Sequence, residues 1–147
     1  MAEKILALIE PYMQKDPCFI YDIEYIKESG ERILRIYIDS DDGVDLNDCE
    51  RISRLIDPIL DEYDIIQDKY RLQVGSPGIE RRLRLHWHYK KYIGSTVLAR
   101  LYAPLSGINP PTKKIKGILK EATDSYVTIE EIKIPIEKIS ICNLSIF

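Results

Sequence analysis

Two alternating runs joined by a four-residue turn constrain this chain more than any other feature. Phe19, Tyr21, Ile23 and Tyr25 alternate with Ile20, Asp22, Glu24 and Ile26. A side-chain repeat of two belongs to a strand with two unlike faces. Glu28-Ser29-Gly30-Glu31 then supplies turn residues. A second run over 33–39 places Leu34, Ile36 and Ile38 on one face and Arg35 and Tyr37 on the other. The pair predicts an antiparallel hairpin. Its apolar face needs a cover, and the flanking segments are suited to provide one.

Residues 3–14 read as an amphipathic helix with Ile5, Leu8, Ile9, Tyr12 and Met13 on one side. Pro11 interrupts it, since an interior proline costs about 3 kcal/mol. After the hairpin comes an acidic loop, Asp39-Ser40-Asp41-Asp42-Gly43-Val44-Asp45. Asp45 is placed to cap a helix, and Asp48 falls in the first turn, where negative charge is favoured. Cys49, Ile52, Leu55, Ile56, Ile59 and Leu60 form the apolar side of that helix, and Pro58 is expected to kink its last turn. A third strand over 70–74 turns Tyr70, Leu72 and Val74 to one face. The first unit is therefore α-β-β-α-β, with both helices on one side of a small sheet.

Beyond it, residues 85–94 form a short aromatic helical stretch ended by Gly94. Short strands follow at 96–102, 114–120, 126–129, 132–136 and 139–144, divided by turn signals such as Asn109-Pro110-Pro111. That pattern predicts a small barrel. The expected class is α+β: an N-terminal α/β domain over residues 1–83, then a C-terminal SH3-like (Sm-like) small β-barrel over residues 84–147.

Ser76-Pro77-Gly78 forms the corner between the two units. Pro77 presets φ for the first central position of a type II turn, and Gly78 supplies the positive φ of the second. Arginines Arg81, Arg82 and Arg84 follow at once.

The net charge of −3 conceals an asymmetry. Residues 1–84 carry 12 basic and 19 acidic residues, a balance of −7. Residues 85–147 carry 9 basic and 5 acidic residues, a balance of +4. The basic half suits phosphate, and the acidic half suits a basic protein surface. No apolar run approaches the roughly 20 residues of a membrane span. The first residues lack the features of a signal peptide, so a cytoplasmic location is expected. Cys18, Cys49 and Cys142 are odd in number and far apart, which predicts reduced, mostly buried thiols.

Chemistry is sparse. Asp39, Asp41, Asp45, Asn47 and Glu50 follow the spacing of a calcium loop, but glycine stands at the fifth position instead of the sixth and a strand precedes it. His86 and His88 have no further ligand at metal spacing. No phosphate-binding glycine loop and no nucleophile motif occurs. The chain is expected to be non-enzymatic, with no catalytic residue, metal, cofactor or small-molecule substrate. The remaining signal is basic. One set is Arg81, Arg82, Arg84, Lys90 and Lys91, interleaved with Trp87, Tyr89 and Tyr92. The other is Lys113, Lys114 and Lys116. Cations among aromatics fit RNA binding, although aromatics at this spacing are more often packing than base platforms.

The order of elements, together with Tyr21-Asp22-Ile23-Glu24-Tyr25, Leu34-Arg35-Ile36-Tyr37-Ile38-Asp39, Gly43-Val44-Asp45-Leu46-Asn47-Asp48-Cys49, Leu72-Gln73-Val74-Gly75-Ser76-Pro77-Gly78-Ile79-Glu80-Arg81 and Tyr92-Ile93-Gly94, resembles the bacterial ribosome maturation factor family RimP. The resemblance implies a cytoplasmic, non-enzymatic assembly factor in which the chain, as a monomer, binds the free small (30S) ribosomal subunit and assists its maturation. It implies contact with small-subunit ribosomal protein twelve and with ribosomal RNA. Asp39, Asp41 and Asp42 are the expected contacts to the basic protein. A general RNA-binding module is the rival reading. Arg82 stands where the family usually has proline, from which a less stiff linker is expected.

Overall fold

The computed structural model describes residues 1–145. The chain divides into two compact units, Met1–Pro77 and Gly78–Phe147.

In the first unit, helix α1 (Ala2–Ile9) passes into a 3-10 helix (Glu10–Met13) where Pro11 enters. Proline has no N–H to donate, and it is tolerated at the start of the new turn. Strands β1 (Phe19–Glu28) and β2 (Glu31–Asp39) form the expected antiparallel hairpin. Helix α2 (Leu46–Tyr63) follows, and β3 (Tyr70–Gly75) pairs parallel to β2. The sheet order is β1-β2-β3.

Residues Ile5, Ile9, Leu34, Ile36, Ile38, Ile52 and Ile56 are fully buried in one core, with Tyr70, Leu72 and Val74 packed against it. Both helices thus cover the same side of the sheet. A bulge between Ile20 and Asp22 breaks the alternation expected of β1. Ile20 joins the core in consequence, although the uninterrupted pattern sets it opposite Ile23 and Tyr25.

The start of α2 is fixed by a reciprocal cap. The Asp48 N–H donates to the Asp45 carboxylate at 2.9 Å, and the Asp45 N–H donates to Asp48 at 3.0 Å. Two N-terminal donors that the helix itself cannot satisfy are thereby paired. Pro58 lies inside α2, which continues to Tyr63.

The second unit holds α3 (His86–Lys91) and strands β4 (Thr96–Leu101), β5 (Lys114–Ala122), β6 (Tyr126–Ile129), β7 (Ile132–Pro135) and β8 (Ile139–Leu144). Their order is β7-β6-β5-β4-β8. No ladder joins β7 to β8 among the described residues. Four strand spacings separate these edges in a flat sheet, about 19 Å. Only the 3-10 helix Ile136–Lys138 connects them. The four residue steps from Pro135 to Ile139 reach about 14 Å at full extension. The sheet must therefore curl strongly to let the chain pass from one edge to the other. Its core includes Leu83, Tyr89, Val97, Ala99, Leu119, Val127, Ile129 and Cys142.

The division at Pro77 and Gly78 differs from the expected one at 83 and 84. Leu83 is the reason. Its side chain is buried in the second core, and its N–H donates to the Cys142 carbonyl at 2.7 Å. The Leu144 N–H donates to the Arg81 carbonyl, so Arg82 faces Asn143 in an antiparallel bridge. Residues 81–83 are in effect an extra strand segment of the second unit. With the boundary moved, the first unit holds 9 basic and 18 acidic residues, −9, and the second 12 basic and 6 acidic residues, +6. The charge partition is sharper than the 1–84 division shows.

Candidate nucleic-acid interface

The strand register decides which basic side chains meet. Val97, Ala99 and Leu101 point into the second core. Thr96, Leu98 and Arg100 therefore point outward. Leu98 lies opposite Lys116 on β5 and opposite Asn143 on β8. Asn143 in turn faces Arg82. One row across the outer face therefore reads Arg82, Asn143, Leu98, Lys116, spanning roughly 14 Å at the usual strand spacing. The neighbouring row reads Ile141, Arg100, Lys114. Arg82, Arg100, Lys114 and Lys116 are all exposed. Residues from both predicted basic sets thus share one surface, although more than thirty positions separate Arg82 from Lys116 in the chain.

The other predicted residues have different surroundings. Arg81 turns back onto its own segment. Its Nε donates to the Gly78 carbonyl at 3.0 Å, and its Nη1 donates to the Tyr92 hydroxyl at 2.9 Å. Its guanidinium lies 5.8 Å from the Tyr92 ring centre. Arg81 braces the corner. Gly78 itself takes φ +88°, the positive value expected of it, while the turn proper falls on Ile79-Glu80, two positions later than expected.

Arg84 is exposed, and its backbone N–H is bound to the His88 ring at 3.0 Å. Lys90 and Lys91 are exposed on α3, with Lys91 Nζ 6.0 Å from the Tyr92 ring centre. Lys113 is exposed at the end of the loop, and its carbonyl accepts the Leu101 N–H at 2.7 Å.

Packing commits Tyr89 and Tyr92 to the second core, while Trp87 remains 38% exposed. Tyr89 is buried in the core, and burial raises its hydroxyl well above the ordinary tyrosine range. Tyr92 packs against the same core. Trp87 stands edge-on to His88, with ring centres 4.4 Å apart. His88 is fully buried, and its Nδ1 accepts the N–H groups of both Arg84 and Leu85 at 3.0 Å. It closes the N-terminal end of α3, a structural role that its position in the sequence does not reveal.

In the first unit the acidic loop is partly committed to structure. Asp39 is only 7% exposed and accepts the Ser40 N–H at 3.0 Å, which corrects its expected place on an accessible surface. It ends β2, where the strand is still enclosed. Asp41 and Asp42 are exposed. Asp45 and Asp48 are engaged in the helix cap, and Arg51 ties Asp48 (2.8 Å) to Asp16 (2.9 Å). Among the described residues no group of three or more His, Cys, Asp or Glu is arranged to hold a metal ion. All three cysteines are free. Burial raises each thiol, and that of Cys142 is pushed up to about 12.

Two outward residues were not singled out in the sequence, Arg100 and Tyr102. The alternation of β4 contains the signal for Arg100, because Val97, Ala99 and Leu101 face inward; Tyr102 lies in a bend just past the strand.

An acidic helix-covered sheet followed by a curled sheet with a basic outer face defines a two-unit α+β protein with two electrostatically opposed surfaces. Residues 8–80 match the family model for the RimP N-terminal domain. The chain belongs to the RimP family, a family of ribosome maturation factors.

Proposed function

We propose that this chain is a non-enzymatic, cytoplasmic assembly factor that binds the free small ribosomal subunit and assists its maturation. The outer face of the second unit, through Arg82, Arg100, Lys114 and Lys116, meets ribosomal RNA. The acidic first unit, with Asp41 and Asp42 exposed on its loop, meets a basic ribosomal protein, small-subunit protein twelve. The second unit is an SH3-like barrel in this reading. Its strand order, its curl and the 3-10 turn before the last strand support that assignment.

The observation that carries the reading is the register that gathers cations from distant segments onto one sheet face, in a chain otherwise acidic. Phosphate neutralisation by Lys and Arg supplies sequence-independent affinity. The family membership directs that affinity toward the ribosome.

Cosedimentation with mature and immature small subunits tests the proposal. Wild type should pellet with immature subunits in preference to mature ones and to free RNA. The triple variant Arg82→Ala, Lys114→Ala, Lys116→Ala should lose most of that binding. Asp41→Lys with Asp42→Lys should weaken binding to protein twelve. Folded wild type that pellets with neither subunit form would remove the reading. Equal affinity for subunits and unstructured RNA would favour the general RNA-binding module.

A further inference from the structure

Tyr102 is 67% exposed, the most exposed aromatic side chain among the described residues of the second unit. It follows Leu101, the last residue of β4, in a bend just past the strand that carries Leu98 and Arg100 on its outer side. Its backbone is held on both sides. The Leu101 N–H donates to the Lys113 carbonyl at 2.7 Å, and the Tyr102 N–H donates to the Lys138 carbonyl at 3.1 Å. The backbone that carries the exposed ring is therefore fixed at the rim of the basic face, next to the backbones of two lysines. Arg100 stands two residues before it, with Lys114 opposite Arg100. Glu137, beside Lys138, is the nearby carboxylate in sequence.

Other tyrosines already have a role within the fold. Tyr89 is in the core, Tyr92 carries Arg81, and Tyr126 has Lys133 Nζ 4.1 Å from its ring centre. No aromatic or cation contact to the Tyr102 ring exists among the described residues. A large apolar face left in water beside a cluster of cations fits one ligand chemistry well: an aromatic base joined to phosphate. Stacking is open only to bases outside a duplex, because paired bases are covered by their neighbours and A-form RNA presents a deep, narrow major groove.

We propose that Tyr102 is a stacking platform, and that the basic face selects RNA with an unpaired base in a loop or bulge over uniform duplex. This rests on the RNA contact proposed for the same face. The lysines and arginines hold the backbone, and the tyrosine supplies the preference for exposed bases. Stacking of this kind is sequence-tolerant, since every base has a π-face.

The test uses the full chain and two RNAs of equal length, a hairpin with 2-aminopurine in its loop and a fully paired duplex. Binding is read by fluorescence anisotropy, and stacking by quenching of 2-aminopurine. Wild type should bind the hairpin more tightly and quench its loop. Tyr102→Ala should abolish the quenching and weaken hairpin binding about fivefold or more, leaving duplex binding unchanged. Tyr102→Phe should behave as wild type. Circular dichroism melts check that both variants fold.

Wild-type quenching and affinity in Tyr102→Ala would overturn the proposal. If Lys114→Ala with Lys116→Ala then weakened both RNAs, phosphate contact would stand without stacking. Wild type that binds neither RNA would overturn this inference and the RNA contact together. Loss of binding to protein twelve in Tyr102→Ala, with hairpin affinity intact, would make the ring a protein contact and likewise overturn stacking.

Discussion

Replacing Lys114 and Lys116 by alanine should change the salt dependence of RNA binding by an amount that can be worked out beforehand. Both side chains are exposed on β5 and alternate with buried Ile115, so they share one face. Removing exposed lysines leaves the core intact, and stability should move by no more than about 0.5 kcal/mol. Each phosphate neutralised contributes roughly 0.7 to 0.9 to the slope of log affinity against log salt. Two lost contacts should flatten the slope by about 1.4 to 1.8. Over a fourfold rise in salt, wild type should then lose roughly 7- to 12-fold more affinity than the double variant. Anisotropy titrations of a labelled small-subunit RNA fragment across a potassium chloride series provide the measurement. Arg54→Ala is the control, since Arg54 lies on α2 of the acidic unit, 3.7 Å from Glu50. An unchanged slope in the double variant, with a changed slope in the control, would refute the assignment of phosphate contact to this face.

Three further outcomes follow from the packing. His88→Phe keeps a buried ring but orphans the N–H groups of Arg84 and Leu85; each unmet donor costs about 1–3 kcal/mol, so urea melts should show a loss of roughly 2–6 kcal/mol, and a loss near zero would contradict the capping role. Gly117→Ala would place a Cβ 2.5 Å from Glu130 Cγ and displace the carboxylate that accepts the Ile118 N–H at 2.8 Å; a destabilisation of about 1 kcal/mol is expected, and it should shrink in a Glu130→Ala background. Arg51→Met should blunt acid sensitivity. The Arg51 guanidinium holds the Asp16 carboxyl below its ordinary range, while the Asp45 N–H and then Arg51 do the same for Asp48. Depressed folded values mean that the stabilisation is present above an unfolded value of about 3.9 and fades as pH falls below it. Urea midpoints between neutral pH and about pH 3 should therefore fall less in the variant than in wild type.

Most of the first unit was legible because its signals are local. The alternation of residues 19–26 and 33–39, the 45–48 cap and the apolar stripe of α2 each need only a short window. The bulge at Tyr21 was not legible, since nothing in the alternating run marks where a residue will be skipped. In the second unit the strands could be read, but their neighbours could not. Arg82 lies opposite Asn143, and that pairing is set by a strand about sixty positions away. The capping of α3 by His88 depends on burial, which one histidine among aromatics does not disclose. Arg100 and Tyr102 are a different case. The outward direction of Arg100 was present in the β4 alternation, but grouping basic residues by closeness in sequence passed over it, and Tyr102, in a bend past the strand, carries no periodic signal.

The same pairing changes what Arg82 means. As a residue of a linker, it exchanges a stiff proline for a flexible arginine. In the fold, the segment around it is held by the Leu83 N–H to Cys142 and by the Leu144 N–H to Arg81, and the neighbouring Leu83 side chain is fully enclosed. Order at this point comes from the bridge and the core, so it does not require a proline ring. What arginine adds is charge, placed in the row that ends at Lys116. That addition explains how a chain of net charge −3 can present a cationic face. At physiological ionic strength charges farther apart than about 8 Å are largely screened. A phosphate at the outer face therefore responds mainly to the charges nearest it on that face, Arg82, Arg100, Lys114 and Lys116. The −9 and +6 units can thus engage partners of opposite sign, provided that each partner approaches its own surface.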